Sequence, residues 1–274
     1  MYRRQRTSGG GRFSGGRLLI ALAIAGFSIL SYCATRQYNP YTDEEQYVAI
    51  SKEQEIALGL QAAPELEQQF GGEDPDQNAQ ALLDEVCGNL IEANDLQNTE
   101  YPFECTLLAD PETINAFALP GGQVYITAAL FDQLQNEDQL AGIMGHEIGH
   151  AVARHSAQQM AKAQLTQGLT GAAVIAAYDP NDPSTQQTAA VAALIGQVIN
   201  MRFGREDELQ SDILGVRYLA NAGYNACEML NVMQILAEAG GPNRQPEFFS
   251  THPNPENRME NIRAAIAETG GSCP

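Results

Sequence analysis

Apolar and polar positions change period several times along the chain, and each change marks an element. Residues 18–30, LLIALAIAGFSIL, form a charge-free 13-residue apolar run, short of the roughly 20 residues that span a bilayer comfortably. SKEQEIALGLQAAPELEQQF, from Ser51, sets apolar residues at helical spacing behind a serine N-cap, with a nearby Glu approximating a capping box. PDQNAQALLDEVCGNLIEAN, from Pro75, predicts a second helix. YPFECTLLAD and INAFALPGGQVYIT carry short β-rich runs around Pro120-Gly121-Gly122, the signature of strands and a hairpin. Asn136 caps the next predicted helix, which runs to about Gln159. Residues 163–200 have low charge and predict two Ala-rich helices around a Pro180-Asn181-Asp182-Pro183 turn. At about a dozen residues each, they suit a core or a lid better than a membrane span. REDELQSDILGVRYLANAGYN, from Arg205, predicts an amphipathic helix stopped at Gly223. FFSTHPNPENRMENIRAAIAE, from Phe248, reads as a loop with two prolines and then a last helix. The sum is a mostly helical α+β chain with a small sheet.

Composition sets the first 33 residues apart. Arg3, Arg4, Arg6, Arg12 and Arg17 precede the apolar run and no acid occurs there, the pattern of an export signal or signal anchor. The segment ends ILSYCA, which looks like a bacterial lipobox with Cys33 as the lipidated residue, although Tyr32 is larger than the small residue usual before such a cysteine. Lipidation and an uncleaved anchor both tie the rest of the chain to a membrane, on the periplasmic side of a bacterial envelope. Residues 34–46, ATRQYNPYTDEEQ, read as a polar tether, leaving 47–274 as one folded domain. After residue 33 there are 10 basic and 34 acidic side chains, a net charge of −24, which argues against nucleic acid and anionic surfaces as partners. With Cys33 set aside four cysteines remain, an even number that suits two disulfides in an exported chain. Nearness along the chain pairs Cys87 with Cys105 and Cys227 with Cys273.

The chemistry concentrates in GIMGHEIGHAVARHS, residues 142–156. A helix advances about 100° per residue, so His146 and His150 differ by about 40° after a full turn and project from one face toward a shared ion. Glu147 between them can reach a metal-bound water, which is the His-Glu-x-x-His arrangement of zinc peptidases. On a continuous helix His155 points about 140° away from His150, so it reads as a surface group or an outer support for the ligands. Metzincin spacing is absent, because Ala153 and Ser156 stand where that pattern needs Gly and His. Catalytic zinc usually takes three protein donors, so a third must come from elsewhere, with His252 and the carboxylates of later helices as candidates. Glu208 and Asp212 are i, i+4 neighbours in REDELQSD, beside Leu209, Ile213 and Val216. One carboxylate can bind metal while the other holds a histidine through its free ring nitrogen.

QEIALG, NAFALPGGQVYIT, HEIGHAVARH, REDELQSD, AGYN and STHPNPENRM occur in order over residues 40 to 265. Together they resemble metallopeptidase family 48, the gluzincins, in its exported BepA-like branch. The resemblance implies a zincin domain whose small sheet lends an edge strand to the active-site cleft, with one Zn²⁺ held by His146, His150 and Glu208. It implies Glu147 as general base and Asp212 as partner of a histidine ligand. His252 and Arg258 match a His-Pro loop that either supports the transition state or occludes the metal. Asn115, with Ala116 and Phe117, matches the edge strand that receives substrate main chain. The implied activity is zinc endopeptidase cleavage of unfolded or misassembled envelope proteins, with a zinc-dependent chaperone or assembly factor as the alternative.

Overall fold

The computed structural model describes residues 15–177, 203–239, 246–253 and 257–273. They belong to two compact units, Met1–Thr35 with Ala161–Asn200, and Arg36–Met160 with Met201–Pro274.

In the first unit α1 spans Gly15–Ala34, and its 20 residues and mean hydropathy of 1.9 make it long and apolar enough to cross a membrane. It exceeds the 13-residue apolar run because Gly15–Arg17 and Ser31–Ala34 continue the helix at both ends. Leu19, Phe27 and Leu30 are exposed, apolar surface that water disfavours and lipid accommodates. The first Ala-rich stretch is the end of α6 (His155–Ala177). The Pro180–Pro183 turn and the second Ala-rich helix lie outside the described residues.

The second unit opens with β1 (Arg36–Asn39) and β2 (Glu44–Tyr47), an antiparallel hairpin pairing Arg36 with Tyr47 and Asn39 with Glu44. The stretch read as a tether is therefore ordered from Arg36. Buried Asn39 donates through Nδ2 to the Val152 carbonyl at 2.9 Å and to Gln46 Oε1 at 3.2 Å. α2 (Lys52–Gln69) begins at a capping box whose reciprocal residue is Gln54 rather than a Glu. α3 (Gln77–Ala93) follows, then β3 (Glu104–Leu108), β4 (Ala116–Ala118) and β5 (Gln123–Thr127). The order is β3-β5-β4, with β3 parallel and β4 antiparallel to β5, so β4 is an edge strand. Gly121 and Gly122 turn the β4–β5 hairpin at φ +91° and +105°, where a Cβ is disfavoured.

α4 (Ala128–Phe131) leads to α5 (Glu137–Val152). The helix predicted to reach Gln159 breaks after Val152. Arg154 adopts a left-handed φ of +59° and α6 starts afresh at His155. Arg154 repays that conformation with hydrogen bonds from Nε to Glu55 Oε1 at 2.9 Å, Nη2 to the Ile50 carbonyl at 3.0 Å and Nη1 to Gln37 Oε1 at 3.2 Å.

α7 (Arg205–Ala222) ends at Gly223 in the left-handed region, as the sequence predicts. Its buried face runs through Glu208, Ser211, Asp212, Gly215 and Leu219, whereas Ile213 is exposed. α5 and α7 approach closely because both carry glycine at the crossing. A Cβ on Gly149 would sit 3.2 Å from the Ser211 carbonyl oxygen, and one on Gly215 3.2 Å from the main-chain nitrogen of His146. α8 (Glu228–Ala239), the short α9 (Phe248–Thr251) and α10 (Arg258–Glu268) complete the unit. Disulfides join Cys87 to Cys105 and Cys227 to Cys273, as nearness along the chain predicts, and Cys33 is free and exposed.

Candidate metal centre

Asn136 Oδ1 accepts from the Gln139 amide at 2.9 Å to start α5, and every residue from Gln139 to Val152 is buried. The polar groups of this helix therefore face protein. His146 and His150 stand one turn apart with their Nε2 atoms 3.1 Å from each other. α7 brings Glu208 to them, Oε1 lying 3.3 Å from His150 Nε2 and Oε2 3.5 Å from His146 Nε2. His252, presented at the end of α9, places Nδ1 3.1 Å from Glu208 Oε1 and 3.5 Å from His146 Nε2. One donor atom from each of these four buried residues lies within 4.8 Å of the others.

This donor set fits a divalent metal. Imidazole nitrogens with one carboxylate suit zinc and its neighbours among transition metals, and lack the all-oxygen character that calcium or magnesium prefers. The electrostatics favour positive charge at the same spot. Burial works against a charged His146, yet hydrogen bonds to Asp212 and Glu208 raise its pKa to about 9. Glu208 is held ionised against the cost of burial by His252, His150 and His146. Burial pushes His150 well below its ordinary value, leaving it neutral and able to ligate.

The surrounding groups aim the donors. His146 Nδ1 lies 2.9 Å from Asp212 Oδ1, and Arg258 donates to both Asp212 oxygens at 2.7 and 2.9 Å. Arg258 Nη1 also lies 3.2 Å from Glu208 Oε2. Despite burial, Arg258 and His146 hold the Asp212 carboxyl below its ordinary pKa. Arg258 is thus placed behind the donors, in contact with Asp212 and Glu208. Sequence offers His252 as a candidate ligand or, by resemblance, for catalysis or occlusion, and its ring lies among the donors, stacked on Phe248 at 4.5 Å. Phe203 stacks on His150 at 4.3 Å. Neither phenylalanine carries a sequence signal that ties it to the site. His155, which helix phase directs away, is returned by the break at Arg154. It is buried, with Nδ1 2.8 Å from His150 Nδ1, and burial lowers its pKa.

Glu147 is fully buried and raised in pKa by that burial. Neither of its carboxylate oxygens has a hydrogen-bond partner among the described residues. A cleft of about 720 Å³ reaches the centre at His252 and is lined by Asn115, Phe117 and Leu119 and by Phe70, which follows α2. Asn115 uses its main chain on Thr127, while its buried Oδ1 has no hydrogen-bond partner among the described residues. Ala116 packs into the core and does not line the cleft, because successive strand side chains alternate.

The profile of Peptidase family M48 matches residues 77–266. The beta-barrel assembly-enhancing protease of Escherichia coli K12 is 35% identical over 173 residues, 59% of this chain and 34% of that protein. A putative beta-barrel assembly-enhancing protease of Vibrio cholerae is 33% identical over 193 residues, 66% of this chain and 39% of its own. Mitochondrial metalloendopeptidase OMA1 of Saccharomyces cerevisiae is 26% identical over 265 residues, 90% of this chain and 73% of that protein. The chain spans about a third of the length of the bacterial relatives it matches. With a profile match covering the helices that carry His146, His150 and Glu208, and a mostly helical α+β fold around them, the chain belongs to peptidase family M48.

Proposed function

We propose that the chain is a zinc metalloendopeptidase, exported and attached to a membrane through α1 or a lipid on Cys33, that cleaves extended segments of unfolded or misassembled envelope proteins. His146, His150 and Glu208 would hold the metal. When bound, zinc supplies Lewis acidity, lowering the pKa of water and polarising a carbonyl. The observation that carries the reading is Glu147, a buried carboxylate with neither oxygen hydrogen-bonded among the described residues and only His252 Nε2, 3.6 Å from Oε1, in ion-pair range, beside that donor set and the cleft. A carboxylate so desolvated is a stronger base than one in water. Glu147 takes a proton from the attacking water at a carboxylate oxygen and delivers it to the departing amine nitrogen. The outer edge of β4, unpaired among the described residues, would take an extended substrate through main-chain hydrogen bonds, a mode that favours unfolded chains. Asp212, anchored by Arg258, accepts the Nδ1 proton of His146 and keeps Nε2 bare toward the metal. Phe203 and Phe248 keep bulk water from the rings.

The His252 ring stands among the donors, where an incoming ligand would bind, so it acts as a plug that must leave this position before turnover. This same observation supports a second reading, a zinc-dependent chaperone that holds clients with little hydrolysis. The full chain in detergent, assayed on casein, tests both. Glu147→Gln should lower hydrolysis by about 10² to 10⁴-fold with metal content unchanged. Wild-type cleavage by a metal-loaded Glu147→Gln chain would end the peptidase reading.

A further inference from the structure

His155 belongs to no role proposed above, yet it touches a proposed ligand and heads a chain of hydrogen bonds. Its Nδ1 lies 2.8 Å from His150 Nδ1, and its Nε2 lies 2.8 Å from Gln210 Oε1. Gln210 Nε2 donates to Glu44 Oε2 on β2 at 2.7 Å. Ser211 Oγ lies 3.4 Å from His155 Nδ1.

The direction of every bond in this chain follows from its far end. Glu44 presents an exposed carboxylate, which only accepts. Gln210 must therefore turn its amide nitrogen to Glu44 and its carbonyl oxygen to His155. His155 must then carry its proton on Nε2, which leaves Nδ1 as an acceptor for His150 and for the Ser211 hydroxyl. His150 in turn must donate from Nδ1, so that Nε2, the atom 3.3 Å from Glu208 and 3.1 Å from His146 Nε2, bears a lone pair. The opposite assignment would put a proton on His150 Nε2 in the middle of the donor set.

We infer that His155 is a positioning residue for the metal centre, which fixes the tautomer and ring orientation of His150 through a relay from Glu44 and Gln210. The inference rests on the metal reading above and deepens it. The two α5 histidines are then oriented by different means. Asp212 holds His146 directly, whereas His150 is held by a neutral imidazole whose own tautomer is dictated two residues further out. A metal-ligating histidine commonly donates its second ring proton to a carboxylate, carbonyl or water, and losing such a partner typically costs 10- to 100-fold in metal affinity. The break at Arg154 makes the relay possible, because a continuous helix would carry His155 about 140° away from His150.

The test measures Zn²⁺ affinity of the full chain in detergent by competition with a chromophoric chelator, the visible absorption of the Co²⁺-loaded chain, and thermal unfolding of the metal-free form. His155→Phe keeps a ring without an acceptor and should weaken Zn²⁺ by about 10- to 100-fold and alter the Co²⁺ bands. His155→Asn places an oxygen near the position of Nδ1 and should recover most of the affinity and the wild-type spectrum. Gln210→Leu, on the rim of the site, should weaken Zn²⁺ by at least roughly threefold. Should His155→Phe fail to fold, the Gln210→Leu result decides. Wild-type affinity and spectrum in His155→Phe or Gln210→Leu overturn the relay, and so does an equal loss in His155→Phe and His155→Asn. His146→Ala and Glu208→Ala distinguish the two levels of argument. If they too leave Zn²⁺ binding unchanged, the metal reading itself fails, whereas loss in them alone removes only the role of His155.

Discussion

Gly149 sits where α5 crosses α7, and replacing it should damage the metal centre more than the fold. An added Cβ would lie 3.2 Å from the Ser211 carbonyl oxygen and 3.3 Å from both Ser211 Cα and Leu214 Cβ. Two of the three are backbone atoms, so relief requires α7 to move as a body. Gly149→Ala gains about 1 kcal/mol of helix propensity, which offsets much of the crowding from one methyl. Gly149→Val adds two more methyls on a stiff, branched side chain, and overpacking of that kind costs about 1–3 kcal/mol. Glu208 lies one turn before Ser211, so outward movement of α7 carries its carboxylate from His150 Nε2 and His146 Nε2, now 3.3 and 3.5 Å away. If the whole strain falls on the metal, Zn²⁺ affinity drops by roughly 5- to 150-fold, since 1.4 kcal/mol is tenfold. Chelator competition on the full chain in detergent measures this, and thermal unfolding of the metal-free form measures the cost to the fold. Gly88 on α3 is the control, because a Cβ there meets nothing within 4 Å. Gly88→Ala should stabilise by up to about 1 kcal/mol and leave metal affinity alone. Wild-type Zn²⁺ affinity in a folded Gly149→Val chain would refute the claim that glycine-mediated approach of the two helices sets the ligand geometry.

Removing the plug gives an opposite sign: His252→Ala should raise hydrolysis of casein while Zn²⁺ stays bound, and a fall in rate would assign the ring a supporting part in catalysis. Asp212 has a folded-state pKa below its ordinary 3.8, so its stabilisation is present above that value and is lost as pH falls through the depressed one. Unfolding of the metal-free chain tracked from pH 7 to 2 should therefore show an acid loss that Asp212→Asn removes, and an unchanged profile in that variant counts against the Arg258 pairing. Cys227–Cys273 closes 46 residues and Cys87–Cys105 closes 18. On chain entropy alone, replacing the first pair with Ser should cost about 0.8 kcal/mol more than replacing the second, as read by denaturant titration.

Much of this architecture is legible because long periodic helices announce themselves. The apolar spacing behind Ser51, the caps at Asn136 and Gly223, and the Pro120-Gly121-Gly122 turn each obey a local rule that the tertiary structure leaves undisturbed. Helix phase alone places His146 beside His150, and the i, i+4 spacing places Glu208 beside Asp212. What escapes has no local signal. RQYN and EEQY pair as β1 and β2 without alternating apolar residues, since the strands are short and Asn39 and Gln46 are the residues they bury. The apolar criterion applied to α7 favours Ile213, which is exposed, because the buried face of that helix is the one that carries the acids.

The α5–α6 break shows why local rules fall short at such a site. Left-handed backbone is marked in sequence by Gly or Asn, and here the residue is Arg154, whose conformation is held by Gln37, Ile50 and Glu55, all about a hundred positions away along the chain. Those contacts exist only once α2 and the β1–β2 hairpin have docked. The hairpin also supplies Glu44, from which the amide orientation of Gln210 and the tautomers of His155 and His150 are read inward. The centre therefore has two kinds of dependence on the chain. His146, His150 and Glu208 sit on helices whose periodicity is visible from the start, whereas the orientation of His150 depends on a segment that composition alone assigns to a tether. A chain lacking residues 36–47 should accordingly keep α5 and all four donors while losing the constraint on His150, so its Zn²⁺ affinity should fall toward that of His155→Phe. Retention of wild-type affinity by the truncated chain would mean that the hairpin is packed against the centre without governing it.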